Sequence, residues 1–216
     1  MRNTYLAILC LAALFVPVSA QNAPGSSTTI QSGQPATSWS YSISVFTYLL
    51  PDCSVYVQPT ITADRRWLHL EARYNYEDLE TGSVWVGYNF SVGKKLSLNI
   101  TPMLGGVLGK TSGIAPGYST SLGWRWLELY SEGEFVFAIA SSTDSFFYNW
   151  SEFTVSPTDW LRTGLVMQRT QVYESELDVQ RGILVGLSYK RLEVTGYVFN
   201  LAVQRPTYAL SVRIEF

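Results

Sequence analysis

The sequence predicts an all-β chain that crosses a membrane as a closed, antiparallel up-and-down β-barrel of about 12 strands. Three observations carry that prediction. The chain opens with an export segment. Beyond it, no apolar run approaches the roughly 20 residues that a spanning helix requires. Yet 47% of the 216 residues are hydrophobic, with 7 Trp, 14 Tyr and 10 Phe among them. In hydrocarbon every backbone N–H and C=O must be paired within the protein. An exported, aromatic-rich chain without spanning helices therefore crosses as a closed barrel.

The export segment is residues 1–20. Arg2 supplies the basic start, Tyr5 to Val16 the apolar run, and Pro17 leads into the small residues Ser19 and Ala20 where a signal peptidase cuts. Residues 21–38 are rich in Pro, Gly, Ser and Thr and read as a flexible periplasmic leader. The barrel itself is expected over 39–216.

Charge and rare residues exclude several function classes. Removing Arg2 from the 15 basic residues leaves 14 against 17 acidic ones, so no basic excess attracts nucleic acid. Of the two cysteines, Cys10 leaves with the export segment, and Cys53 alone cannot form an internal disulfide. His69 is the only histidine, so no multi-histidine metal site can be built, and no metal or other cofactor is expected.

The strands announce themselves by period-two alternation. In "WSYSISVF" Trp39, Tyr41, Ile43 and Val45 alternate with serines. In "WLHLEARYNYED" Leu68, Leu70, Ala72, Tyr74 and Tyr76 oppose His69, Glu71, Arg73 and Asn75. Val84, Val86, Tyr88, Phe90 and Val92 form the next apolar face, and Tyr118, Leu122, Trp124 and Trp126 another, opposite Ser119, Ser121, Gly123 and Arg125. The chain ends on Tyr208, Leu210, Val212, Ile214 and Phe216, opposite Thr207, Ala209, Ser211, Arg213 and Glu215.

Turn-forming breaks fall near 51–52, 64–66, 78–82, 93–95, 110–116, 131–133, 142–144, 156–158, 173–177, 190–191 and 201–206. They divide the chain into twelve strands; ten and fourteen remain open, because boundaries read from sequence shift by several residues. With the N-terminus on the periplasmic side, alternate breaks become longer outer loops and short inner turns. Trp39, Trp67, Phe90, Trp126, Trp160, Tyr189 and Phe216 then share the periplasmic level, where an aromatic ring rests its body in lipid and its polar edge among headgroups.

With its export segment, repeated alternation, aromatic girdle and terminal "YALSVRIEF", the chain resembles Gram-negative outer-membrane β-barrels of the small, porin-like kind. The resemblance covers Trp39 to Phe216. It implies an outer-membrane location after export through the inner membrane, with outer-membrane lipids as surroundings. It also implies that Tyr208, Leu210, Val212, Ile214 and Phe216 form the C-terminal signal read by the barrel-assembly machinery.

The faces opposite the apolar ones then line the lumen: His69, Glu71, Arg73, Asn75, Arg125, Glu128, Glu152, Arg162, Gln168, Glu193, Arg213 and Glu215. An Arg or Lys facing lipid near mid-membrane costs roughly 2 to 4 kcal/mol, which places these side chains inside. The leading functional expectation is a narrow passage for small polar solutes. The alternative is a closed structural or surface-binding barrel with a filled lumen. Eight strands leave an interior that side chains fill and sixteen leave a channel, and twelve lies between. The outer loops look too short to fold in as a large plug.

A lipid-modifying enzyme is the third class, and no catalytic residue is expected. Only His69 could act as a base, the His-x-Ser arrangement of barrel phospholipases is absent, and a hydrogen bond from His69 to Glu71 or Arg73 is the simpler role. Glu132 and Glu134, flanking Gly133, are expected in a solvated periplasmic turn.

Overall fold

The computed structural model describes residues 38–50, 55–139, 144–172, 178–201 and 206–216. The expected export segment and all but the last residue of the expected leader lie outside them. Thirteen strand segments follow one another: β1 (Ser40–Leu49), β2 (Val55–Arg65), β3 (Leu68–Tyr74), β4 (Thr81–Tyr88), β5 (Phe90–Val92), β6 (Leu96–Gly109), β7 (Gly113–Trp124), β8 (Leu127–Ala138), β9 (Phe146–Thr158), β10 (Leu161–Val172), β11 (Asp178–Tyr189), β12 (Leu192–Phe199) and β13 (Thr207–Glu215). β4 and β5 keep one register against β6, Gly87 opposite Met103 and Phe90 opposite Ile100. They are two parts of one spanning strand. The ladder opens between them because Pro102, in register with Tyr88, has no N–H to give. Twelve strands therefore span.

All pairings are antiparallel, and the sheet closes on itself. β1 pairs with β2 on one side and β13 on the other, Ser42 opposite Glu215 and Leu49 opposite Tyr208. Past the last ladder pair, Phe216 N donates to Tyr41 O at 2.9 Å, so the chain end is tied down to its final residue. Closure removes both sheet edges, the condition for a sheet to survive in lipid.

The alternation sorts the side chains. Outward go Val84, Val86, Leu104, Leu108, Leu165, Val185 and their neighbours, all exposed on the barrel's outer wall. Inward go the hydroxyls, charges and a set of large rings. Tyr208 and Leu210 are exposed outward, with Val212 and Ile214 in the same alternation, while Thr207, Ala209 and Ser211 are buried inward.

The connections differ at the two ends. At one end they span only 66–67, 93–95, 125–126, 159–160 and 190–191. Arg66, Arg125 and Lys190 take left-handed φ values of 55°, 58° and 56°, which lets two residues reverse the chain within the strand twist. The other end carries the longer segments 75–80 and 139–145, the short 110–112, and the connections after β1, β10 and β12.

One expected turn is displaced. Residues 131–133 are mid-strand in β8, and the chain reverses instead at Arg125-Trp126. Gly133 is there for contact: a Cβ at this position would lie 2.9 Å from the Tyr118 ring. Residues 113–116, expected within a loop, begin β7.

Candidate functional site

The lumen is the candidate site, and its wall brings two charge clusters together. The first is built on β3. His69 lies between two carboxylates, with Nδ1 2.8 Å from Asp64 Oδ1 and Nε2 3.1 Å from Glu71 Oε2. Arg73 Nε donates to Glu71 Oε1 at 2.7 Å, and its Nη1 reaches Glu134 Oε2 on β8 at 2.8 Å. β8 stands four strands away around the wall, so this ion pair crosses the lumen interior. The guanidinium is 4.3 Å from the Tyr76 ring centroid and 4.6 Å from that of Trp85. Arg73 is 7% exposed and Glu134 4%. A planar guanidinium with rings on its faces and carboxylates at its edge is held in one orientation.

The second cluster centres on Arg162 of β10. Its Nη1 donates to Glu152 Oε2 at 2.9 Å and its Nη2 to Thr195 Oγ1 at 3.2 Å, while Glu193 Oε1 lies 2.9 Å from Nε. Glu152 also accepts from Trp150 Nε1 and Tyr197 Oη, each at 3.0 Å. Glu128 and Gln168 point inward from β8 and β10. Arg213 and Glu215 pair at 3.4 Å near the tight-turn mouth and stay exposed.

Two expected lumen residues lie elsewhere. Arg125 is exposed at the apex of the β7–β8 turn, because the chain reverses there and not six residues later. Asn75 has left β3 with φ 56°, and its side chain ties the β3–β4 loop, Nδ2 to Val57 O at 3.1 Å and Oδ1 from Glu80 N at 2.8 Å. Conversely, Glu132 and Glu134, expected in a solvated turn, point into the lumen. The signal was present: Glu128, Tyr130, Glu132 and Glu134 alternate with Leu127 and Leu129, and the misread Gly133 obscured it.

The loop half of the lumen is filled with rings. Phe46 on β1 meets Trp150 on β9 edge-on at 5.8 Å, although these strands are five apart around the wall. Trp150 also packs edge-on against Tyr197 at 5.3 Å and Phe199 at 5.6 Å. Phe199 and Leu184 are 0% and 1% exposed. A second group, Trp85, Met103, Val107, Ala115 and Val136, lines the facing wall.

The β3–β4 loop folds in among these groups. Tyr76 packs edge-on against Tyr148 of β9 at 5.4 Å and donates to Glu132. Glu77 is buried against Arg73 and accepts from Ser83 Oγ at 2.5 Å. Two side chains of this loop thus enter the lumen beside the large rings, and the loop does so without forming a large plug. Among the described residues, Glu77 Oε2 and Glu134 Oε1 are buried without a hydrogen-bond partner.

The expected girdle residues Trp39, Trp67, Phe90, Trp126, Trp160, Tyr189 and Phe216 all sit at or beside the tight-turn end and are exposed there. His69 bonds to two carboxylates and, among the described residues, to no serine hydroxyl. Among the described residues no three carboxylate, imidazole or thiol groups converge as metal ligands.

No protein-family profile and no curated protein sequence matches the chain. Solved structures do. A KdgM porin aligns with a TM-score of 0.55 at 10% identity, over 81% of this chain and 99% of that one. A KdgM porin in complex with disordered oligogalacturonate aligns with a TM-score of 0.56, at the same identity and coverage. The chain is a closed twelve-stranded barrel of the kind that outer-membrane porins adopt.

Proposed function

We propose that this protein resides in the outer membrane as a narrow porin-like channel for small polar solutes, favouring cations and neutral molecules over anions. The observation that carries the reading is the charge of the lumen wall. Arg73, Arg162 and Arg213 each stand beside at least one carboxylate, and Asp64, Glu71, Glu128, Glu132, Glu134, Glu152, Glu193 and Glu215 outnumber them. In a bore walled by low-dielectric protein, a net-acidic lining raises the local concentration of cations and lowers that of anions. Glu77 Oε2 and Glu134 Oε1 add two buried acceptors without a hydrogen-bond partner to this acidic wall.

The same wall argues against an anionic cargo. One of the similar porins was solved with oligogalacturonate, a chain of sugar acids. A polyanion entering this lumen would meet carboxylates beside every arginine, so we assign the cargo to a different charge class. The test is flux from vesicles carrying the refolded protein. Potassium should leave faster than chloride, a neutral monosaccharide should swell the vesicles, and galacturonate should pass more slowly than that neutral sugar. Faster galacturonate flux would refute the charge assignment.

A second reading, a sealed structural barrel, is favoured by the ring cluster that fills the loop half. It predicts no flux of any of these solutes.

A further inference from the structure

We propose that the tight-turn rim is a binding surface for the phosphate headgroups of anionic phospholipids. The reading needs only the membrane-spanning barrel and is independent of whether the lumen conducts. Four of the five tight turns carry bases: Arg65-Arg66, Lys94-Lys95, Arg125 and Lys190-Arg191, every one exposed. They are half of the 14 basic residues that remain after Arg2. Arg65 is the last residue of β2; Asp159 is the acid within these turns, and Asp64 and Glu215 flank them.

The far end of the barrel has the opposite character. Glu77, Asp78, Glu80, Asp144 and Asp178 lie there with the bases Lys110, Arg169 and Arg181, so that acids outnumber bases among the described residues, and Lys110 is paired with Asp78 at 3.2 Å. Charge is therefore sorted along the barrel axis, which random surface composition does not require.

What selects a lipid over a soluble anion is the position of the rings. Arg66 precedes Trp67, Arg125 precedes Trp126, and Lys190-Arg191 follow Tyr189. The Arg65 guanidinium lies 5.8 Å from the Trp39 ring centroid and Lys190 Nζ 5.3 Å from that of Tyr189. Exposed tryptophans settle at the boundary between hydrocarbon and headgroups. A base one residue away then sits at the depth of the phosphates, where its attraction to anionic lipid is strongest. Arginine adds a planar fork that matches phosphate oxygens. Seven such bases around one rim form a collar, and a lipid bilayer surrounds the rim on every side.

The experiment uses the refolded chain in phosphatidylcholine vesicles containing trace spin-labelled phosphatidylglycerol or spin-labelled phosphatidylcholine. The motionally restricted fraction of each label reports the lipids in contact with the protein. At low salt phosphatidylglycerol should be selected by about threefold or more, and the preference should fall as salt screens the rim. The combined variant Lys94→Gln, Lys95→Gln, Lys190→Gln, Arg191→Gln should lose most of that preference, whereas Lys110→Gln at the other end should keep it. Equal restriction of both labels overturns the proposal, as does full selectivity in the combined variant. Inorganic phosphate should compete no better than chloride at equal ionic strength. Stronger competition would mean an anion site without lipid character and also overturns the proposal. If the combined variant does not fold, the salt titration of the unaltered chain decides, and a salt-independent preference overturns the collar.

Discussion

The two halves of the lumen are built from different side chains on the same strands. Towards the tight turns the wall is polar: Ser42 and Ser44 on β1, Thr60 and Thr62 on β2, Ser97 and Asn99 on β6, Ser119 and Ser121 on β7 and Ser211 on β13 stand among the charged groups His69, Glu71, Arg162 and Glu193. Towards the loops the same alternation carries Phe46 and Tyr48 on β1, Tyr56 on β2, Met103 and Val107 on β6, Trp150 on β9 and Phe199 on β12. Strand number fixes the backbone diameter, so side-chain volume sets the bore. One half is thus a vestibule, and the other a constriction crossed by rings and by the Arg73–Glu134 ion pair. The bonding differs as well. The vestibule is held by short local contacts such as Ser42 Oγ to Thr62 Oγ1 at 2.8 Å, the constriction by groups that meet from strands far apart.

That contrast can be broken most forcefully at Arg73. Arg73→Ala should cost about 3–5 kcal/mol, because Glu77 and Glu134 would be left as uncompensated buried charges and Glu71 would keep only His69. Urea unfolding of the refolded barrel measures it. Arg73→Lys should be intermediate, since it keeps the charge and loses the fork and ring stacking. Trp150→Ala comes next, at about 3–5 kcal/mol if the cavity does not collapse, together with a rise in conductance. Gly105→Ala should cost about 1–3 kcal/mol, because its Cβ would stand 2.5 Å from the Trp85 ring. In the vestibule, Ser211→Ala should cost less than about 1 kcal/mol, since no core forms around it. An Arg73→Ala loss no larger than that of Ser211→Ala would erase the distinction between the halves.

The fold was largely legible because a closed barrel with an apolar outer wall and a polar interior requires alternation. Val84–Val92 and Tyr208–Phe216 could be read as strands with a defined outer face. Strand count, closure by the last strand and the shared level of Trp39, Trp67 and Trp160 followed from the same pattern. What failed was punctuation. Gly133 reads as a turn in sequence, yet it packs under Tyr118, while Arg125 turns the chain without glycine by accepting a left-handed φ. That single slip moved Arg125 into the lumen and Glu134 out of it. The ring cluster was hidden for a different reason. Phe46, Trp150 and Tyr197 are apolar residues on the inward parity, and alternation alone treats aromatic residues as outward. Only contacts between strands five apart reveal them, and one sequence carries no record of such pairs. The entry of Tyr76 and Glu77 was hidden likewise, since a short loop fills a bore only if the bore is already narrow.

The most direct test of the constriction is single-channel recording in planar bilayers, comparing the unaltered chain with Tyr76→Ala and Trp150→Ala under a potassium chloride gradient. Tyr76 lies on a loop outside the strand ladder, so its truncation leaves the barrel wall intact. Small discrete steps with a cation-selective reversal potential are predicted for the unaltered chain, and larger steps of the same selectivity for both variants. Silence in all three proteins, or steps that neither truncation enlarges, would contradict a channel whose bore is set by the rings of its loop half.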